Sequence, residues 1–283
     1  MRLGGGDIGD LLARHGLEPS RALGQNFVTD PNTIDKIVRV ADVETGDHVV
    51  EVGPGLGSLT LGLLDAGAAV LAVEVDRHLG GPLDEVIRRA GPDAAARAEV
   101  LIADAMTIDW AATLMPRHGG GWSMVANLPY NVAAPMVLRV LDEAPMIQRI
   151  VVLVQREVGE RLVAAAGSGV YGIPSVKVAY WATGSVVAKV PAAVFHPVPK
   201  VDSVVVRIER RAAPATDADP DLLFSLVRRA FGQRRKMLRR SLAGVVDDAI
   251  FAAAGVDPAT RPERLDVVSW GRLATAVADA GGS

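Results

Sequence analysis

The sequence predicts an open α/β sheet of the nucleotide-binding kind, followed by a small all-α domain. Three observations carry that fold class. Short apolar, β-branched runs alternate with helical stretches along the first two thirds of the chain. One run, His48 to Val52, opens directly into Gly53-Pro54-Gly55-Leu56-Gly57 and then into a helical stretch from Ser58 to Ala66. Beyond a Pro- and Ala-rich linker, Arg210 to Asp219, only helical periodicity continues. Boundaries at 1–210 and 211–283 follow, and 283 residues suit one large domain plus one small one.

Composition narrows the class further. Apolar residues make up 49% of the chain and charged residues 22%, as in a soluble protein with a sizeable core. Aromatics are only 4%, so an aromatic inside a motif is informative. There is no cysteine, which excludes disulfides and thiolate metal sites and fits a reducing compartment. Met1 to Asp10 carries no apolar core of a secretory signal, and no run approaches the roughly 20 apolar residues of a membrane span. A cytoplasmic protein is expected. The net charge of −3 argues against nucleic-acid binding until its distribution is considered. Residues 211–283 hold 11 Lys+Arg against 9 Asp+Glu, a net of +2, and leave −5 on the rest. Seven of those positive charges fall between Arg228 and Arg240, a local basic patch of the sort that binds phosphates.

Taken in order, residues 7–17 form an amphipathic helix with Ile8, Leu11 and Leu12 on one side. Leu23 to Val28 is an apolar segment interrupted by Gln25 and Asn26, which on local signal reads first as an entry loop and only second as part of a site. Asp30 is an N-cap for a helix from Pro31 to about Ala41. The glycine loop after His48–Val52 lets backbone approach a ligand, and the next strand, Ala69 to Val75, carries Glu74. Glu74 stands 21 residues after Gly53, about where an acid takes ribose hydroxyls. The G-x-G-x-G spacing is not that of dinucleotide folds, and Pro54 removes an N–H that a pyrophosphate would use. S-adenosylmethionine, with a ribose and no phosphate, fits this loop better than NAD.

A third strand, Glu99 to Ile102, leads to Asp104, read either as a turn cap or as an acceptor for an adenine amino group. The strand Trp122 to Ala126 delivers Asn127-Leu128-Pro129-Tyr130 to the same sheet edge, where ligands of open α/β sheets bind. Proline stops the strand there and an amide and an aromatic are presented together. A plain turn with a buried Tyr is the competing description. Ala133 to Ala144 is helical, Ile150 to Gln155 is a strand buried on both faces, and Gln155 to Ala166 is a helix with a salt-bridged outer face. Val176 to Tyr180 and Val186 to Val190 read as strands. Phe195 to Ser203 is a proline-stiffened loop in which Phe195 is less expected to be core, and Val204 to Ile208 is the last strand. From Asp221 to Leu242 a single helical segment places Leu223, Leu226, Val227, Ala230, Phe231, Met237 and Leu238 on one arc. Arg228, Arg229, Arg235, Lys236, Arg239 and Arg240 share the opposite arc; Arg234 falls out of register, and Gly232 is a break point. A face of one charge sign favours phosphate contact.

In family order, seven pieces then stand together: Leu23 to Phe27, Glu51 to Gly57, Val73 to Asp76, Asp104-Ala105, Asn127 to Asn131, Phe195 to Ser203 and Phe231 to Arg239. With them the chain resembles the KsgA/RsmA-type ribosomal RNA adenine N6,N6-dimethyltransferases, relatives of the Erm methyltransferases. The resemblance implies a class I methyltransferase fold, Rossmann-like with a mostly parallel sheet, over 1–210 and a helical RNA-binding domain over 211–283. It implies S-adenosylmethionine as methyl donor, without a metal, contacted by Asn26, Val28, Gly53, Gly55, Glu74, Asp104 and Asn127. The chemistry of a poorly nucleophilic N6 puts Asn127 and the Leu128 or Pro129 carbonyl at the target adenine with Tyr130 and Phe195 beside it, and the basic face puts Arg228, Arg229, Arg234, Arg235, Lys236, Arg239 and Arg240 at RNA. The implied substrate is a pair of adjacent adenines in a hairpin near the 3′ end of 16S rRNA, within the small ribosomal subunit, for an enzyme working as a monomer. Three alternatives compete: an Erm-type enzyme acting on 23S rRNA, a non-catalytic assembly factor with an idle pocket, and an NAD-dependent oxidoreductase. The glycine spacing and the want of a Tyr-Lys or His centre disfavour the last.

Overall fold

A computed structural model describes residues 2–281, so Met1, Gly282 and Ser283 at the ends of the expected domains lie outside the described residues. It contains nine strands: β1 (Phe27–Val28), β2 (His48–Val52), β3 (Ala69–Glu74), β4 (Ala98–Ile102), β5 (Trp122–Asn127), β6 (Ile147–Gln155), β7 (Ala182–Val190), β8 (Phe195–His196) and β9 (Ser203–Arg210). Seven of them form one sheet in the order β4-β3-β2-β5-β6-β9-β7, and β1 pairs with β8. From β4 to β6 all pairs are parallel, and β9 returns antiparallel to β6. The central strands are apolar on both faces because helices cover both: Val49, Val125, Val151, Leu153 and Val205 are all fully buried.

Strand order locates the site before any side chain is considered. The chain lays β3 and β4 on one side of β2, then crosses to the other side to place β5. Neighbouring connections therefore diverge at the β2–β5 boundary and leave a crevice at the strands' carboxyl ends.

Local signals explain most boundaries. Asp30 caps the helix Pro31–Ala41 by accepting the N–H groups of Asn32 and Thr33, with Pro31 at its first position. The helix Ser58–Asp65 starts where Gly57 takes a left-handed φ of 87°. The helix Gly5–Arg14 buries Ile8, Leu11 and Leu12 against Phe27, Leu56 and Leu79, which closes the outer side of the glycine loop.

Three expectations are corrected. Val176 to Tyr180 lies in a helix, Ile173–Trp181, because Gly172 and Pro174 open a helical turn and the segment packs among other helices, where burial overrides an alternating pattern. The helix expected over Asp221 to Leu242 is two helices, Pro220–Phe231 and Leu238–Ser241, parted after Gly232. The boundary at 210 is incomplete: two compact units comprise Met1–Gly159 with Ser185–Arg210, and Glu160–Gly184 with Arg211–Ser283. Tyr171, Val176 and Tyr180 share one core with Leu223, Phe224 and Trp270, and the Tyr171 and Tyr180 hydroxyls donate to the Leu265 and Ala218 carbonyls at 2.9 and 3.2 Å.

Replacing the helix cap, Asp30→Ala, is expected to cost about 1 kcal/mol of unfolding free energy, measured by urea denaturation; a loss near zero would mean the cap is redundant with Pro31.

Candidate active site

The crevice beside β2 is a cavity of about 240 Å³, lined from the carboxyl ends of β2, β3, β4 and β5 together with residues 23–28. Asn26, Val28, Gly53, Gly55, Glu74, Asp104, Asn127, Leu128, Pro129 and Tyr130 all line it. Two residue sets far apart in sequence meet there. The Asn127 Nδ2 donates to the Asn26 carbonyl at 2.9 Å, across 101 residues. Because its nitrogen is committed to that carbonyl, the amide keeps Oδ1 as its acceptor.

The turn after β5 is equally specific. Leu128 N–H continues the sheet to the Leu153 carbonyl at 3.1 Å, and Val132 N–H closes the turn on the Pro129 carbonyl at 3.1 Å. The Leu128 carbonyl takes no such turn bond among the described residues. Tyr130 is half-buried, its hydroxyl is 3.5 Å from Ser203 Oγ, and burial raises its pKa.

Glu74 braces the glycine loop. Its two carboxylate oxygens accept Gly55 N–H at 3.0 Å and Asp76 N–H at 2.9 Å, so one side chain holds the glycine loop to the next helix start. Each oxygen keeps a further lone pair, as a ribose diol requires. Gly55 is obligatory: at φ 59° its Cβ would stand 2.9 Å from the Phe27 ring. Asp104 accepts Met106 N–H at 2.8 Å and so is both turn cap and lining residue.

Two residues that sequence reasoning undervalued also belong here. Gln25 Nε2 donates to Asp76 at 2.9 Å while its Oε1 accepts Ser20 N–H at 2.8 Å, which seats the 23–28 segment over the cavity. Glu51 lines the cavity with 1% exposure and accepts the Thr60 hydroxyl at 2.6 Å. Burial first, and the nearby Glu74 charge, push its pKa up to about 8. Glu74 is raised by burial as well. A buried Glu inside a strand gives no periodic signal, since it occupies an apolar position.

Among its lining residues the cavity has three acids, Glu51, Glu74 and Asp104, and no Lys, Arg or His. Glu51 stays neutral up to about pH 8, and the other two carboxyls disfavour phosphates, which suits the sulfonium and ammonium of S-adenosylmethionine better than a dinucleotide.

Phe195 departs from expectation. It is 2% exposed in the core beside Val28, Ile34 and Val205 and does not line the cavity. The pairing of Val28 with Phe195 turns the ring inward, and His196 faces out. All seven basic residues from Arg228 to Arg240 are exposed, although the helix beneath them is broken. Arg234 is partly engaged, donating to the Gly169 carbonyl at 2.8 Å and lying 3.9 Å from Glu263, and Arg229 donates to the Ala243 carbonyl at 2.6 Å.

A parallel sheet with an acidic ligand cavity at its switch point, closed by Asn-Leu-Pro-Tyr, defines a class I S-adenosylmethionine-dependent methyltransferase. The profile of the family described as ribosomal RNA adenine dimethylase matches residues 18–279. The chain belongs to that family. It is 48% identical to the "Ribosomal RNA small subunit methyltransferase A" of Leifsonia xyli subsp. xyli, over 96% of this chain and 97% of that one. It is 47% identical to the protein of the same description from Cutibacterium acnes, over 94% and 91%. Among solved structures it resembles the 23S rRNA methyltransferase ErmE at TM-score 0.69 and 26% identity, covering 89% of this chain and 99% of that one. A dimethyladenosine transferase from Plasmodium falciparum shares the fold at TM-score 0.74 and 22% identity, covering 89% and 97%. The chain is thus an rRNA adenine dimethyltransferase that uses S-adenosylmethionine.

Glu51 makes stability depend on pH. Its carboxyl is neutral in both states below its ordinary value of 4.5, whereas between there and about 8 the unfolded chain alone releases the proton. Stability therefore falls as pH rises through that window. Glu51→Gln is expected to remove on the order of 4 kcal/mol of that fall, read from denaturation midpoints at pH 5 and pH 8. An unchanged slope would show that Glu51 is already ionised when folded. Separately, Gly55→Ala is expected to weaken S-adenosylmethionine binding by at least about tenfold through displacement of Phe27 and the loop, measured by calorimetry; wild-type affinity would remove the loop from the donor site.

Proposed function

We propose that this chain dimethylates N6 of two adjacent adenines in a hairpin near the 3′ end of 16S rRNA, acting on the small ribosomal subunit as a cytoplasmic monomer. The single observation that carries the chemistry is the orientation of Asn127, whose Nδ2 is held by the Asn26 carbonyl. Adenine N6 is a poor nucleophile because its lone pair is delocalised into the ring. Asn127 Oδ1 and the Leu128 carbonyl accept its two N–H bonds, which draws the nitrogen toward tetrahedral geometry and localises the lone pair. When bound, S-adenosylmethionine supplies a methyl group activated by a cationic sulfur. Glu74, Asp104 and the glycine loop set the donor, the Asn127 turn sets the acceptor, and both hang from adjacent strand ends. Catalysis is then positioning and electrostatics. The proton is lost after the N–C bond forms, when N6 is cationic and acidic, so a strong general base has no part in the step.

The target base must leave its stack, and Tyr130 recovers about 1–3 kcal/mol by stacking on one of its faces. With Phe195 in the core, Tyr130 alone takes that role among the residues proposed for it. Phosphate contacts are assigned to Arg228, Arg229, Arg235, Lys236, Arg239 and Arg240, with Arg234 contributing as an anchor of the segment. Support for the small subunit comes from the relatives' descriptions, since those at 47–48% identity carry it and ErmE, named for 23S rRNA, stands at 26%.

Asn127→Ala is expected to lower methyl transfer into under-methylated small subunits by at least about 100-fold while thermal stabilisation by S-adenosylmethionine partly persists. Near-normal turnover in a radiolabel assay would sink the assignment. Transfer into large-subunit RNA instead would move the chain to the Erm-type activity.

A further inference from the structure

Val198 is the most exposed large apolar side chain among the described residues at 65%, and Val201, three positions on, is 47% exposed. Both sit on the turn between β8 and β9, with Lys200 exposed between them. That turn is rigid. Pro197 and Pro199 fix two of its φ angles. His196 pairs with Phe27 on one side, and on the other Asp202 accepts Ala192 N–H at 3.0 Å through its carboxylate and Arg156 N–H at 3.1 Å through its carbonyl. The valines are thus held out in solvent by a backbone that cannot fold them under, which forgoes the burial such side chains normally gain.

Its position gives the turn a purpose. Phe27 and Val28, which pair with its first strand, line the cavity. Ser203, which ends it, lies 3.5 Å from the hydroxyl of Tyr130. The turn therefore stands on the rim of the cavity, beside the ring proposed to receive the adenine. An extruded base leaves a gap in the RNA stack that closes again unless something apolar fills it, and proteins that hold open a base step do so with an inserted apolar side chain. A cation next to such a wedge has the flanking phosphate within reach.

We propose that the turn Pro197–Val201 enters the RNA beside the target, with Val198 filling the gap left by the extruded adenine and Lys200 holding the adjacent phosphate. Val198 is a positioning residue in this scheme, distinct from Tyr130, which meets the base itself. The inference rests on the proposed transfer to a flipped adenine.

The test uses small subunits reconstituted with 2-aminopurine at the target position, whose fluorescence rises on unstacking. Full-length wild-type enzyme is expected to raise the signal. Val198→Ser is expected to bind subunits and S-adenosylmethionine within about threefold of wild type yet to lose the rise, with kcat down about tenfold and Val198→Ile restoring both. A Val198→Ser enzyme that gives the full rise overturns the wedge, and so does one that no longer binds subunits, since the valine would then be a docking contact. Absence of a rise with wild-type enzyme overturns the flipped-adenine reading itself, and the wedge with it.

Discussion

The reversal of strand order at β2 is the constraint on which the molecule depends. Parallel strands joined through covering helices leave a gap only where successive connections run in opposite directions. Here that gap receives the glycine loop from β2 and the Asn127 turn from β5. Both are therefore held by adjacent, largely buried strands and inherit their rigidity. The Asn127–Asn26 hydrogen bond adds a third wall from residues 23–28, which are themselves tied to Asp76 through Gln25. In the proposed transfer from a weak nucleophile, geometry held this firmly stands in for a general base.

The cavity is expensive in electrostatic terms. Two carboxyls, Glu51 and Glu74, sit at 1% and 4% exposure, and burial raises the pKa of each. Glu74 is partly compensated by the Gly55 and Asp76 N–H groups, and Glu51 by the hydroxyl and backbone of Thr60. Glu51 answers burial by staying neutral when folded, so in the proposed scheme the buried charge that a cationic methyl donor meets rests on Glu74.

How much of this was legible in the sequence depended on how local the cause was. The Asp30 cap, the glycine loop, Glu74 and the Asn127 turn are each written in a few contiguous residues, and the structure brings all of them to one cavity. What escaped was decided by distant partners. Val176 to Tyr180 alternates like a strand, yet it packs among helices on several sides, and only Gly172 and Pro174 hinted at the helix start. Glu160–Gly184 joins the helical unit through the Tyr171 and Tyr180 hydroxyls, contacts that no window around 210 reveals. Phe195 was assigned to the site because of the loop that follows it, although a two-residue strand pairing turned its ring into the core. Glu51 was read as part of a glycine motif, and its burial is visible only once helices cover the sheet.

The break after Gly232 bears on how the basic surface works. A continuous helix would set its arginines on one stripe at fixed spacing. The structure instead divides them between the helix Pro220–Phe231, an exposed turn and the helix Leu238–Ser241, held by Leu238 and Arg239 N–H bonds to the Thr260 and Pro258 carbonyls. Arg234 and Arg229 bond to backbone carbonyls within this unit, which orders the segment from inside. Charges fixed to a bent scaffold match a folded RNA of defined shape better than a straight duplex groove, because phosphate contacts set register and orientation and carry no sequence information. On the proposed function, choice of adenine then falls to the cavity and its rim, where hydrogen-bond acceptors and an aromatic ring can distinguish one base from another, and docking by shape falls to the basic helical unit.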